Sequence, residues 1–172
     1  AHVALYSGNI ANKQGIEIVL AAAQLLQHRK DLIFIVCGNG PNRAALQKLS
    51  SGLDNIQFHD LQPRDRLSEL LGLATVHLLP QIAGAADLVL PSKLTNMLAS
   101  GRPVVATAMP QTGLADEVAG CGLTTTPGDT RAFAQAIESM IDDDKLCETT
   151  GQAARTRALA RWSKLAILEQ FE

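Results

Sequence analysis

A chain of 172 residues suits one domain with a full-sized core. Its formal net charge of −2, from 15 Lys+Arg against 17 Asp+Glu, supplies no basic field for nucleic acid. Aromatic residues make up only 3% while Ala and Leu abound, a balance that favours helices stacked on a sheet over an all-β sandwich. No apolar run reaches the roughly 18 residues of a membrane span. The opening residues have the pattern of a strand and not of a signal peptide, so a cytoplasmic location is expected. Cys37, Cys121 and Cys147 are odd in number and widely spaced, as expected of reduced, mostly buried thiols.

Strand-length apolar runs alternate with helical patterns along the whole chain. Val3–Tyr6 is predicted as a strand, Gly8–Gly15 as a loop, and Ile16 to Leu26 as a helix, with Ile16, Val19, Leu20, Ala23 and Leu26 at helical spacing. Leu32–Cys37 is predicted as a buried strand, Arg43–Leu49 as a helix, Ile56–Phe58 as a short strand, Arg64–Leu71 as a helix and Val76–Leu79 as a strand. A Gly/Ala-rich loop from Gln81 to about Leu90 leads into a helix over Ser92–Ser100, stopped by Gly101. Val104–Ala106, a helix near Leu114–Val118, the strand Leu123–Thr126 and a turn at Pro127-Gly-Asp129 follow. Thr130 is the expected N-cap of a helix over Arg131–Ile141, and the tail from Asp144 is helical with an expected break around Trp162–Ser163. Crossovers of this length require parallel strands with helices on both faces: a Rossmann-like, doubly wound α/β domain.

In such sheets ligands bind beyond the carboxyl ends of the strands, where the strand order switches. Ser92 and Lys93 open a helix there, so free N–H groups, a partial positive charge and one full cation gather at one point, suited to a phosphate. Lys93 and Asn96 lie three apart and share a helix face. Gly8 permits a tight turn after the first strand. Gly38-Asn39-Gly40-Pro41 follows the second strand but is not a dinucleotide fingerprint, since its third glycine position is Arg43 and no acidic residue closes the next strand. His77 interrupts an apolar strand, as expected of a hydrogen-bonded packing histidine. Asp60 suits a loop cap or a ligand contact equally. No nucleophile set or metal cluster is apparent.

Taken together, the motifs resemble the C-terminal, nucleotide-sugar-binding half of GT-B glycosyltransferases of the large group-1 family (family 4, retaining). They are Tyr6-Ser-Gly-Asn9 with Gln14-Gly15, Phe34-Ile-Val-Cys-Gly-Asn-Gly-Pro41, Asn55–Asp60, Leu78-Leu-Pro80, Pro91-Ser-Lys-Leu94, Ala99-Ser-Gly-Arg-Pro-Val-Val-Ala106, Glu117–Gly122 and Gly128-Asp129, in the family's order. The Gly-Asn…Gln-Gly and Pro-Ser-Lys-Leu variants look most like bacterial polysaccharide enzymes of the colanic-acid type.

The resemblance implies a donor-binding domain over residues 1–172, with the acceptor domain of the same protein absent from this chain and the fragment alone inactive. It implies a UDP- or GDP-linked sugar donor, no cofactor, no metal, retention of anomeric configuration and a lipid-linked glycan acceptor. Gly8, Asn9, Lys13, Gln14 and Gly15 would address the donor diphosphate, although many relatives carry Arg and Lys where this chain has Asn9 and Gln14. That shifts weight onto Lys93, the expected catalytic residue, with Ser92 and Leu94 beside it. Gly38, Gly40, Pro41, Asp60 and Leu61 would frame the base and ribose. The family's paired glutamates fall on Leu88 and Asn96; Asn96 can bond a ribose hydroxyl, while Asp87 or the backbone of Gly84 and Ala85 would stand in for Leu88 at the sugar. A sugar-nucleotide epimerase of the same architecture, a receiver-like signalling module and a non-catalytic nucleotide-binding domain are the competing readings.

Overall fold

The computed structural model describes residues 2–8, 13–40, 43–60, 63–80, 96–109 and 113–170, with backbone alone at 13–15, 64, 67–68, 113–114 and 161–170. Six strands, β1 (His2–Ser7), β2 (Leu32–Cys37), β3 (Ile56–His59), β4 (Val76–Leu79), β5 (Val104–Thr107) and β6 (Gly122–Thr125), form one sheet in the order β3-β2-β1-β4-β5-β6. Every pairing is parallel. The helices are α1 (Lys13–Leu25), α2 (Arg43–Leu49), α3 (Leu67–Gly72), α4 (described over 96–99), α5 (Gly113–Val118), α6 (Thr130–Asp142) and α7 (Asp144–Gln170).

The two-residue period of the strands sorts their side chains between two cores. On one face Ala4, Phe34, Val36, Leu78 and Val105 pack with Ile16, Val19 and Ala23 of α1 and Phe133, Ile137 and Met140 of α6. On the other, Leu5 and Cys37 meet Leu70 and Leu71 of α3, while Leu79, Val104 and Ala106 meet Met97, Leu98, Val118, Ala154 and Ala158. Helices therefore cover both faces, which explains why the central strands β4 and β5 are buried at every residue. The expected doubly wound α/β architecture is observed, and its switch point lies between β1 and β4, where Ala4 pairs with Val76 and Leu5 with His77.

Four local expectations are corrected. Helix α1 starts at Lys13, three residues before the predicted Ile16, so Lys13, Gln14 and Gly15 form its first turn and do not belong to a loop; the roughly 1 kcal/mol cost of glycine in a helix is overridden by the buried face that follows. The cap of α6 is Asp129, whose carboxylate accepts from Ala132 N at 3.0 Å, and Thr130 is the first helical residue. The tail runs unbroken from Asp144 to Gln170, because Trp162 and Ser163 have only modestly lower helix propensity and neither glycine nor proline stands near them. The predicted Arg64–Leu71 helix opens as a 3₁₀ turn at Arg64–Arg66 before α3. Gly101 (φ 74°) ends α4 as expected, and Gly128 (φ 85°) shapes the predicted turn before α6. The predicted Gln81–Leu90 loop and the start of the Ser92–Ser100 helix lie outside the described residues.

Candidate functional site

In a parallel sheet all carboxyl ends open on one edge, so the segments after β1, β2 and β3 are neighbours there. The ladder extends one residue past β1 and past β2. Gly8 N donates to Cys37 O at 3.0 Å and Gly38 N donates to His59 O at 3.0 Å, which sets Gly8, Gly38 and Asp60 side by side. Gly38 is buried between its neighbours, whereas Asn39 and Asp60 are exposed at the rim. The α1 N-terminus, with the backbone of Lys13, Gln14 and Gly15, follows the β1 end at the same edge. Backbone N–H groups of a first helical turn have no intrahelical acceptor and carry the positive end of the dipole, so this edge offers donors to an anion.

Of the predicted site residues, the structure therefore brings Gly8, Gly38, Gly40 and Asp60 and the first turn of α1 to one edge of the sheet. Asn96 is exposed on α4, which follows the β4 crossover. Asn9, Pro41, Leu61, Gly84, Ala85, Asp87, Leu88, Ser92, Lys93 and Leu94 lie outside the described residues.

Arg43 was not anticipated as a site residue. It opens α2, and its Nη1 donates to Asn39 Oδ1 at 2.8 Å, to Gly38 O at 3.4 Å and to the Asp60 carboxylate. Asp60 is thus held in an ion pair and is more than a loop cap. The sequence carried one hint: Arg43 stands four residues after Asn39, within reach across the turn that Arg43 N closes on Gly40 O at 3.2 Å.

His77 is the packing histidine expected of it. Its ring is fully buried, with Nε2 2.9 Å from Ser100 Oγ. Burial, reinforced by the Arg102 charge, lowers its pKa to about 4. His77 is therefore neutral near pH 7, and it points into the core face shared with α4 and away from the rim. The thiols of Cys37, Cys121 and Cys147 are free and shifted upward by burial. Among the described residues, no group of three His, Cys, Asp or Glu side chains could hold a metal ion, and no helix is long and apolar enough to cross a membrane.

The sequence model of glycosyl transferases group 1 matches residues 1–143. WcaI of Escherichia coli (strain K12), named as a colanic acid biosynthesis glycosyl transferase, is 39% identical over 174 residues, covering 98% of this chain and 42% of its own length. The alpha-D-kanosaminyltransferase of Streptomyces kanamyceticus is 29% identical, covering 98% of this chain and 44% of its own. The chain thus spans less than half the length of these relatives. Among solved structures, the Anabaena protein HepE in complex with UDP-glucose superposes with a TM-score of 0.77 at 21% identity, over 98% of this chain and 46% of that one. The catalytic domain of cholesterol-alpha-glucosyltransferase from Helicobacter pylori gives a TM-score of 0.78 at 15% identity, over 93% of this chain and 98% of that one. The matched residues span most of the described sheet and its carboxyl edge, and on that ground the chain belongs to the glycosyl transferases group 1 family.

Proposed function

We propose that this domain holds the nucleoside-diphosphate-sugar donor of a retaining glycosyltransferase that extends a cell-surface polysaccharide precursor. The observation that carries the reading is the convergence of Gly8, Gly38–Gly40, Asp60 and the α1 N-terminus on one sheet edge beside the switch point. The 39% identity to a colanic acid biosynthesis glycosyl transferase supports the polysaccharide assignment. Structural neighbours that hold UDP or UDP-glucose make UDP the first ligand to test, with GDP the second.

In this reading the leaving diphosphate develops negative charge as the sugar departs. Backbone N–H groups of the α1 first turn, those of the helix start that the sequence predicts at Ser92, and Lys93 stabilise that charge more in the transition state than in the ground state. Asn96 bonds a ribose hydroxyl. Gly38, Gly40, Pro41, Asp60 and Leu61 frame the base and ribose, and the segment around Gly84, Ala85 and Asp87 meets the sugar. The acceptor, a lipid-linked glycan, binds an N-terminal acceptor domain of the same protein, and the reaction needs neither cofactor nor metal. A cytoplasmic setting goes with this proposal, since three free thiols are the usual state in a reducing compartment.

A thermal-shift screen of the chain against UDP, GDP and ADP tests the reading. A ligand at about 100 times its Kd stabilises by roughly 2.7 kcal/mol, a rise of about 5–10 °C for a domain of this size. Selective stabilisation by UDP or GDP is the expected result, and no shift with any nucleotide at millimolar concentration overturns it. Donor binding without sugar transfer is expected of this chain alone.

A further inference from the structure

We propose that Arg43 is a positioning residue that sets the gap between the loop after β2 and the end of β3, and thereby governs which nucleobase is accepted. The inference rests on the donor-binding reading above. Up to Gly38 the backbone is held by the sheet, whose last rung here is Gly38 N to His59 O at 3.0 Å. Beyond that rung a side chain spans the Gly38–Gly40 turn and Asp60. Nη1 of Arg43 reaches Asn39 Oδ1 at 2.8 Å, Gly38 O at 3.4 Å and the Asp60 carboxylate, so one nitrogen joins the turn after β2 to a residue 17 positions beyond Arg43 itself.

The clamp is anchored from behind. Arg43 N donates to Gly40 O at 3.2 Å, which fixes the residue to the same turn that its guanidinium grips. The Arg43 side chain is 21% exposed and that of Asp60 79%, so the cation is backed by protein while the carboxylate folds in from the rim. A guanidinium offers a rigid planar fork of donors. Telling one planar base from another requires the flanking backbone to be held within about 0.5 Å, and rigid support of that kind comes from neighbours that do not touch the ligand. Arg43 provides it for the two loops assigned to the base and ribose.

Isothermal titration of UDP, GDP and ADP into the wild-type chain and into Arg43→Gln, Arg43→Lys and Asp60→Asn tests this, with circular dichroism and melting curves as the check on folding. Binding of none of the three by the wild type defeats the donor-binding reading and, with it, this proposal. With a preferred nucleotide in hand, Arg43→Gln is expected to weaken it about tenfold while the other two change little, so that discrimination shrinks. Arg43→Lys, which keeps the cation without the planar fork, recovers part of the preference. Should Arg43→Gln fail to fold, Asp60→Asn reads the same discrimination from the exposed partner. An unchanged preference ratio in Arg43→Gln or, failing that, in Asp60→Asn overturns the proposal even where overall affinity falls.

Discussion

The single proton of Ser100 Oγ is donated to Met97 O, so the 2.9 Å contact with His77 Nε2 has the imidazole as donor. That fixes the tautomer: Nε2 carries the hydrogen and Nδ1, buried without a partner among the described residues, carries a lone pair. Protonating Nδ1 would place a cation in a closed apolar site near Arg102, which accounts for a pKa lowered from 6.5 to about 4. The unfolded chain therefore binds this proton first as pH falls. Stability is complete above pH 6.5 and is lost progressively down to about pH 4, by about 3 kcal/mol in total. Urea unfolding at a series of pH values checks this, with His77→Leu expected to flatten the curve across that window. The carboxylates of Asp31 and Asp142, held below their usual range of 3.8 by hydrogen bonds from Arg29, lose their contribution only under that pH. A slope between pH 6.5 and 4 that survives His77→Leu would contradict the assignment.

Two glycines are required by backbone proximity. A Cβ on Gly122 would sit 1.7 Å from Val104 O, and one on Gly151 would sit 2.4 Å from Gly101 O, where α7 crosses the turn that ends α4. Both neighbours are backbone, so neither can swing aside. Gly122→Ala is expected to destabilise by about 3 kcal/mol. Gly151→Ala is expected to cost less, because alanine regains about 1 kcal/mol of helix propensity. Gly52→Ala and Gly72→Ala meet nothing within 4 Å and serve as controls; they are expected to change stability by no more than about 0.5 kcal/mol. Denaturant midpoints for the four variants decide the matter.

At the start of α6 the capping bond runs from Ala132 N to Asp129 Oδ1 at 3.0 Å, one residue ahead of the threonine that the sequence suggested. Asp129→Ala is expected to lower stability by about 1 kcal/mol and Thr130→Ala by distinctly less. Equal losses at the two positions would return the cap to Thr130.

The pattern of the fold was legible because this sheet is buried on both faces. Leu32–Cys37, Arg43–Leu49 and Val76–Leu79 have the bounds expected from their apolar runs and flanking breakers. Misreadings occur where two residues offer the same local chemistry: Asp129 and Thr130 both cap, and Gly15 serves a loop or a helical turn equally well. At the site, the glycines after β1 and β2 were legible from their place beyond strands. The role of Arg43 was not, since its partner Asp60 is 17 residues away and only the pairing of β2 with β3 brings them together.

Lys93 carries the largest expected effect on donor binding. The far end of the α4 helix is pinned: Met97 and Leu98 are buried, Ser100 is tied to His77, and Gly101 turns the chain away at φ 74°. A helix anchored at its carboxyl end presents its amino end at little entropic cost, and Ser92 and Lys93 are the residues that the sequence reading predicts there. The Gly8–Gly15 segment carries a single cation, Lys13, so in the proposed site Lys93 is the main other side-chain charge offered to the diphosphate. A charge-assisted hydrogen bond contributes roughly 1.5–3 kcal/mol, equivalent to a loss of about 10- to 150-fold in affinity on Lys93→Ala. Lys93→Arg, which keeps the charge, should recover most of it. Titration calorimetry with UDP and GDP gives the answer directly: a Lys93→Ala chain that binds as tightly as the wild type removes Lys93 from the site.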